Sequence, residues 1–184
     1  MSETQRALRM YDWNLPDPFL NTWVSMNQAF YISSRTIENE LGRHQTTLAQ
    51  FHILLLLDAS KGPMALGELA SYLFREPNSV FAQLNRMQKA GLVTKVRDKD
   101  DQRVARVSIT PKGKELLDQA KSPGLRCAHN LLASCLSWEE TQQFDKLLKK
   151  VRDRALKQLG MEATPLPNTF DAAKFLAGLT QMQA

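Results

Sequence analysis

The sequence predicts a mainly α fold with one small β-hairpin, set between long helices at both ends. Three features of its 184 residues predict it. Between Met64 and Gly113, two short helical patterns meet at a tight turn and two β-branched runs follow them. The stretch from Lys61 to Lys114 holds 11 Lys and Arg against 5 Asp and Glu, a net +6 beside +5 for the whole chain. On either side lie long helical patterns, and the first of these is apolar on two flanks.

In chain order, residues 1–17 read as an arm. Pro16 and Pro18 keep a helix from running through it, and Tyr11 and Trp13 suit docking on another surface. Phe19 to Leu41 is a helix in which Trp23, Met26, Phe30, Ser34, Ile37 and Leu41 follow a 3-4 spacing. Phe19, Leu20, Val24 and Tyr31 add the second flank, which suits a neighbour from another chain. Thr46 or Thr47 caps the next helix, a nearly all-apolar run to about Ala59 that belongs in the core. Lys61-Gly62-Pro63 ends it.

In the central unit, Leu66, Leu69, Ala70 and Leu73 mark the buried face of one helix, and Val80, Leu84 and Met87 that of the next. Gly91 stops the second helix. Its outer face carries Arg75, Asn78, Ala82, Asn85 and Lys89, flanked by Ser79, Phe81 and Arg86. Leu92–Arg97 and Arg103–Ile109 are the strands, with the charged run Asp98 to Gln102 at the hairpin tip.

Thr110 caps the following helix and Pro111 opens it. Ser122-Pro123-Gly124 predicts a kink or break there, with helix resuming from Leu125 to Leu136. Ser137 and Glu140 form a capping box. The helix beyond them buries Phe144, Leu147, Leu148, Val151 and Ala155 and stops near Gly160. Pro165 and Pro167 stiffen a linker, and Phe170, Phe175, Leu176, Leu179 and Met182 pattern a short last helix. The expected organisation is an arm (1–17), a helical dimerisation region (18–45 and 115–160), a central unit (46–114), and a linker with a short helix (161–184).

Composition narrows the chemistry. A 43% hydrophobic and 23% charged chain is globular, and no apolar run reaches the roughly 18–20 residues of a membrane span. The first ten residues include Glu3, Arg6 and Arg9 and no apolar signal core, so a cytoplasmic location is expected. His44, His52 and His129 have no ligand partners at metal spacing, and Cys127 and Cys135 make neither a disulfide framework nor a zinc site. No phosphate loop, nucleophile elbow or carboxylate pair appears. Neither an enzyme nor a cofactor is expected.

An outward helix bearing amides, a hydroxyl and cations, next to a basic hairpin, suits double-stranded DNA. Asn78, Ser79, Asn85 and Arg86 are the candidates for base edges or nearby phosphates, and Phe81 for a thymine methyl. Lys99 and Arg103 suit the minor groove or its flanks. Lys89, Lys95, Arg97 and Arg106 suit phosphate attraction. Asp101 is placed to pair with Arg103 or Arg86 and so hold the hairpin. Two competing readings remain open: a protein-binding module using Phe81-Ala82 as an apolar patch, and a regulator that senses oxidants through Cys127 or Cys135.

Gly91-Leu92-Val93, Asp101-Gln102-Arg103 and Thr110-Pro111-Lys112-Gly113 resemble the signature of the MarR family of winged helix-turn-helix transcription regulators. The resemblance covers roughly residues 18 to 158. The chain departs from the family pattern at Phe81-Ala82, where a Thr-Arg pair is frequent, and at Ile109, where Leu is usual. The resemblance implies a homodimer on a palindromic operator, acting most often as a repressor. It also implies release by a small phenolic or aromatic-acid effector bound between the dimer region and the winged unit. By chain position, Trp23, Phe30, Arg43, His44, Phe51 and His52 are the polar and aromatic residues nearest that junction. The same aromatics at helical spacing also read as plain core.

Overall fold

The computed structural model describes residues 11–98, 105–163 and 171–176. Helix α1 (Pro18–Arg43) begins where Asp17 accepts a 2.7 Å hydrogen bond from the Leu20 N–H. Pro18 thus starts the helix, as fits a residue without an N–H to satisfy. Thr47 caps α2 (Leu48–Ala59), and Gln50 returns a hydrogen bond to the Thr47 N–H to complete a capping box. Phe51 and the unbroken run Ile53–Ala59 are buried, which makes α2 the centre of the core.

The central unit wraps around that helix. Strand β1 (Met64–Ala65) leads into α3 (Leu66–Leu73), and α4 (Pro77–Lys89) follows after a short turn. Strands β2 (Val93–Arg97) and β3 (Ala105–Ile109) complete an antiparallel sheet in the order β1-β3-β2. Val93 pairs with Ile109 and Arg97 with Ala105, while Met64 pairs with Val107. The third strand lies outside the two-stranded expectation. Two residues are too few to show a period, and Met64 earns its pairing by sitting 2% exposed in the core.

Helix α5 (Pro111–Ala133) packs along α1 and α2, and α6 (Trp138–Gln158) follows Ser137, whose hydroxyl and Glu140 form the expected capping box. Of the kink or break predicted at Ser122-Pro123-Gly124, the break does not occur: α5 is continuous. Pro123 removes the hydrogen bond to the carbonyl of Gln119, a residue on the exposed side of the helix. Gly124 faces inward. A Cβ on it would stand 2.8 Å from Leu41 Cδ2 and 3.0 Å from Phe51 Cζ, so the glycine lets α1 and α2 close on α5. That packing outweighs the single lost bond.

A second expectation fails on α6. Phe144, Leu147, Leu148, Val151 and Ala155 are exposed in the single chain, and only Leu156 of that helix is buried. Phe19, Leu20, Trp23, Phe30 and Tyr31 on α1 are likewise more than half exposed.

The C-terminal helix α7 (Ala172–Leu176) returns to the core. The Asp171 N–H donates to Ala59 O, and Phe175 packs against the buried cluster. Beneath it, the carboxylate of Asp58, 3% exposed, stands 3.3 Å from Lys114 Nζ and from Lys121 Nζ and 3.1 Å from Lys174 Nζ. Burial alone would raise the Asp58 pKa. The hydrogen bond from Lys174 and the charges of Lys114 and Lys174 overcome that and hold it below the usual carboxylate value.

A lowered carboxylate pKa stabilises the fold above the unfolded value, and the gain is lost as pH falls through the folded one. Asp58→Asn leaves Lys121 buried beside a neutral amide and is expected to lower stability by about 3 kcal/mol at pH 7 in denaturant unfolding. The deficit relative to the native chain should shrink as pH falls below the ordinary carboxylate range and through the lowered folded-state pKa of Asp58.

Candidate nucleic-acid interface

Three inward residues aim the exposed face of α4. Val80, Leu84 and Met87 are 1%, 0% and 0% exposed, at spacings that fix one helical side to the core. The opposite side then carries Asn78, Ser79, Phe81, Arg86 and Lys89 into solvent, with Asn85 half-buried. The turn before α4 passes through Phe74 at φ 51°, a left-handed conformation rare for a bulky residue. The Arg75 N–H closes it on Ala70 O at 3.1 Å.

The side chains of this face are engaged with one another. Arg86 donates to Gln83 Oε1 through Nη2 at 2.5 Å and Nε at 3.2 Å, which lays its guanidinium along the helix surface. Lys95 of β2 donates to Asn85 Oδ1 at 2.5 Å, and its ammonium stands 4.7 Å above the Phe81 ring. Arg106 of β3 pairs with Asp98 at 2.5 Å. Lys95 and Arg106, read from the sequence as phosphate attractors, therefore have internal partners. Asn85 and Lys95 are ten residues apart, and no local spacing links them. The signal available was the alternation that places Lys95 on the same strand face as buried Val93.

The end of α4 is tied to the start of α5. Gly91 takes φ 74°, and the Leu92 N–H then reaches back to Met87 O at 2.9 Å. Thr110 caps α5 by accepting from the Gly113 N–H, donates its hydroxyl to Gly91 O at 2.7 Å, and donates its own N–H to Leu92 O at 3.1 Å. Lys112 Nζ donates to Ala90 O at 2.9 Å, placing a cation at the negative end of the α4 dipole. A Cβ on Gly113 would lie 2.1 Å from Leu92 O, so no side chain fits there.

Lys99, Asp101 and Arg103 lie outside the described residues. The six effector candidates are dispersed. Phe51 is 3% exposed in the core. Trp23 lines a groove with Tyr11, Trp13 and Tyr31, and Phe30 is exposed against the edge of Tyr31. Arg43 pairs with Glu40, whose other oxygen stands 3.7 Å from His44 Nε2. His52 lines a shallow cleft with Arg75, Ser79 and Gln83, where burial first and the Arg75 charge second lower its pKa. No group of three metal-ligating side chains forms among the described residues, and no described helix is long and apolar enough to cross a membrane.

A helix pair with an outward second helix, backed by a small antiparallel sheet, defines a winged helix-turn-helix domain. Residues 46–105, about a third of the chain, match the model of the MarR family. The HTH-type transcriptional regulator TtmR of Methylorubrum extorquens (strain PA1) is 30% identical over 88 residues, 48% of this chain and 45% of that protein. The chain thus spans about half the length of that relative.

Two solved structures share the fold. A mutant MarR from E. coli complexed with operator DNA is 22% identical with a TM-score of 0.67, over 76% of this chain and 99% of that one. The organohalide-sensing transcriptional regulator RdhR-CbdbA1625, in its 2,4-dichlorophenol-bound form, is 25% identical with a TM-score of 0.70. That match covers 86% of this chain and 99% of the other.

Replacing glycine by alanine inside a helix ordinarily stabilises by about 1 kcal/mol. At Gly113 the sign should invert. Gly113→Ala is expected to destabilise by about 1–3 kcal/mol as the Leu92 carbonyl is pushed away. An unchanged or raised denaturation midpoint would show that this junction yields freely.

Proposed function

We propose that the chain is a homodimeric, sequence-specific DNA-binding transcription regulator, a repressor released from a palindromic operator by a small aromatic effector. The observation that carries the DNA reading is the outward face of α4. Its amides, hydroxyl and guanidinium stand beside the hairpin in the one segment that holds the chain's whole basic excess. Asn78, Ser79 and Arg86 take the major-groove edge or adjoining phosphates, and Phe81 offers an apolar edge to a thymine methyl. Lys89 supplies phosphate attraction, and Lys99 and Arg103 serve the hairpin's contact with the flanking groove. We assign Asp101 to holding the hairpin, as the partner of Arg103 or Arg86. The structural relative complexed with operator DNA supports a DNA partner.

Two chains are proposed because α1 and α6 each leave an apolar stripe in water. Phe19, Trp23 and Phe30 line the first, and Phe144, Leu147 and Val151 the second. A second copy covers them and sets two recognition helices about one DNA turn apart. The chlorophenol-bound relative supports a phenolic or aromatic-acid effector, with Trp23, Phe30, Arg43, His44, Phe51 and His52 as its candidate contacts. A cytoplasmic location accompanies this function.

Binding of fluorescent duplexes tests the reading. Affinity should fall steeply with salt in proportion to the phosphates neutralised. Arg86→Ala should weaken the best duplex by about 1–3 kcal/mol and random duplex far less. Equal loss on both would remove Arg86 from base reading.

Val151→Asp should convert a dimer into a monomer by light scattering and weaken operator binding with it. A Val151→Asp chain that still dimerises would move the interface away from α6.

A further inference from the structure

Lys95 meets Asn85 where the hairpin faces α4, and the chemistry of the meeting allows only one arrangement. Lys95 follows buried Val93 by two residues on β2, so strand alternation turns both toward α4. Its ammonium stands 2.5 Å from Asn85 Oδ1 and 4.7 Å from the centre of the Phe81 ring. Phe81 and Asn85 are four residues apart, hence neighbours on one side of the helix. An ammonium carries donors and no acceptor. The Asn85 atom facing it must therefore be the oxygen, and the amide NH2 must point the other way. The ring face beneath adds a cation–π attraction that keeps the ammonium in place.

An unrestrained asparagine reads adenine with both ends of its amide, accepting from N6 and donating to N7. Asn85 has its oxygen turned to the hairpin, where the Lys95 ammonium competes with a base for it, and the amide therefore presents its N–H groups on the other side. The geometry points to Lys95 as a positioning residue that sets base specificity: by holding the Asn85 oxygen it turns that side chain from adenine toward acceptor edges, guanine N7 and O6 or thymine O4. The half-exposed Phe81 beside it suits the thymine methyl. This inference rests on the DNA reading proposed above.

The test uses the full chain and a pool of duplexes with randomised half-sites, sequencing the bound fraction across a salt series. The native chain should prefer guanine or thymine at one base pair per half-site, and Asn85→Ala should level that preference. Lys95→Met keeps the apolar stem and removes the donor. It should shift the same base pair toward adenine by roughly tenfold while leaving the slope of log affinity against log salt unchanged. Lys95→Gln repeats the measurement if circular dichroism shows the Met variant unfolded.

A Lys95 variant with the native base preference overturns the inference. So does uniform weakening on every sequence with a salt slope shallower by about 0.9, the mark of a lost phosphate contact. A native preference for adenine at that base pair overturns it too. A native chain with no preference anywhere in the pool removes the DNA reading itself, and the outcome is visible before any variant is compared.

Discussion

The carbonyl of Leu92 is the point on which the winged unit turns. It lies at the exit of α4 and accepts from the Thr110 N–H, and the start of α5 comes so close that only a glycine fits at 113. Around it, the Gly91 and Leu92 N–H groups take the carbonyls of Gln88 and Met87 in α4, and the Lys112 ammonium and Thr110 hydroxyl take those of Ala90 and Gly91 just beyond it. Each bond alone adds only about 1 kcal/mol. Their joint effect is geometric: the exposed helix, the hairpin and the longest helix of the C-terminal half are joined through backbone atoms. Backbone junctions transmit displacement better than long side chains do, because they have no rotamers in which to absorb it. A shift of α5 is therefore carried to the face of α4.

Net charge and available charge differ in this unit. All eleven cations between Lys61 and Lys114 contribute to the long-range field that draws an anionic partner. Contact is another matter. Lys95 is held by Asn85, Arg106 by Asp98, Lys112 by Ala90 O and Lys114 by Asp58 and Asp118. Arg75, Lys89 and Arg97 reach solvent on the same unit. The field thus comes from the whole cluster, while one engaged cation, Lys95, also holds the orientation of Asn85 on the α4 face. Salt bridges at a surface add little stability. Their use here is to position.

Local chemistry was legible in the sequence wherever one residue could satisfy its neighbours. Thr46 or Thr47, Thr110 with Pro111, and Ser137 with Glu140 each marked a helix start that the structure contains, the first of them at Thr47. The buried faces of α3 and α4 were equally plain, because a 3-4 spacing has few other meanings. What escaped depended on distant partners. Pro123 and Gly124 read as a break because their context, Leu41 and Phe51 closing on the glycine, lies more than seventy residues away in the chain. The Asp58 cluster joins residues from three separated segments and leaves no pattern in any of them. Lys95 looked like one more surface cation because alternation gives the face it lies on and not the partner across from it, Asn85, ten residues back in the chain.

The apolar residues of α6 carry the last step. Their periodicity correctly describes an amphipathic helix, yet in the single chain that helix contributes only Leu156 to the buried set. Periodicity reports that a face seeks cover and is silent about which chain supplies it. A 21-residue helix capped at its start by Ser137 keeps its backbone bonds without tertiary help, but Phe144, Leu147 and Val151 gain nothing from facing water. In the proposed dimer, a second copy covering them would stabilise the protein and set the spacing of two exposed α4 helices. Under that arrangement the apolar area buried between chains and the register of two half-sites are one quantity. A ligand that alters how the long helices pack has no need to touch α4 to change what α4 can reach.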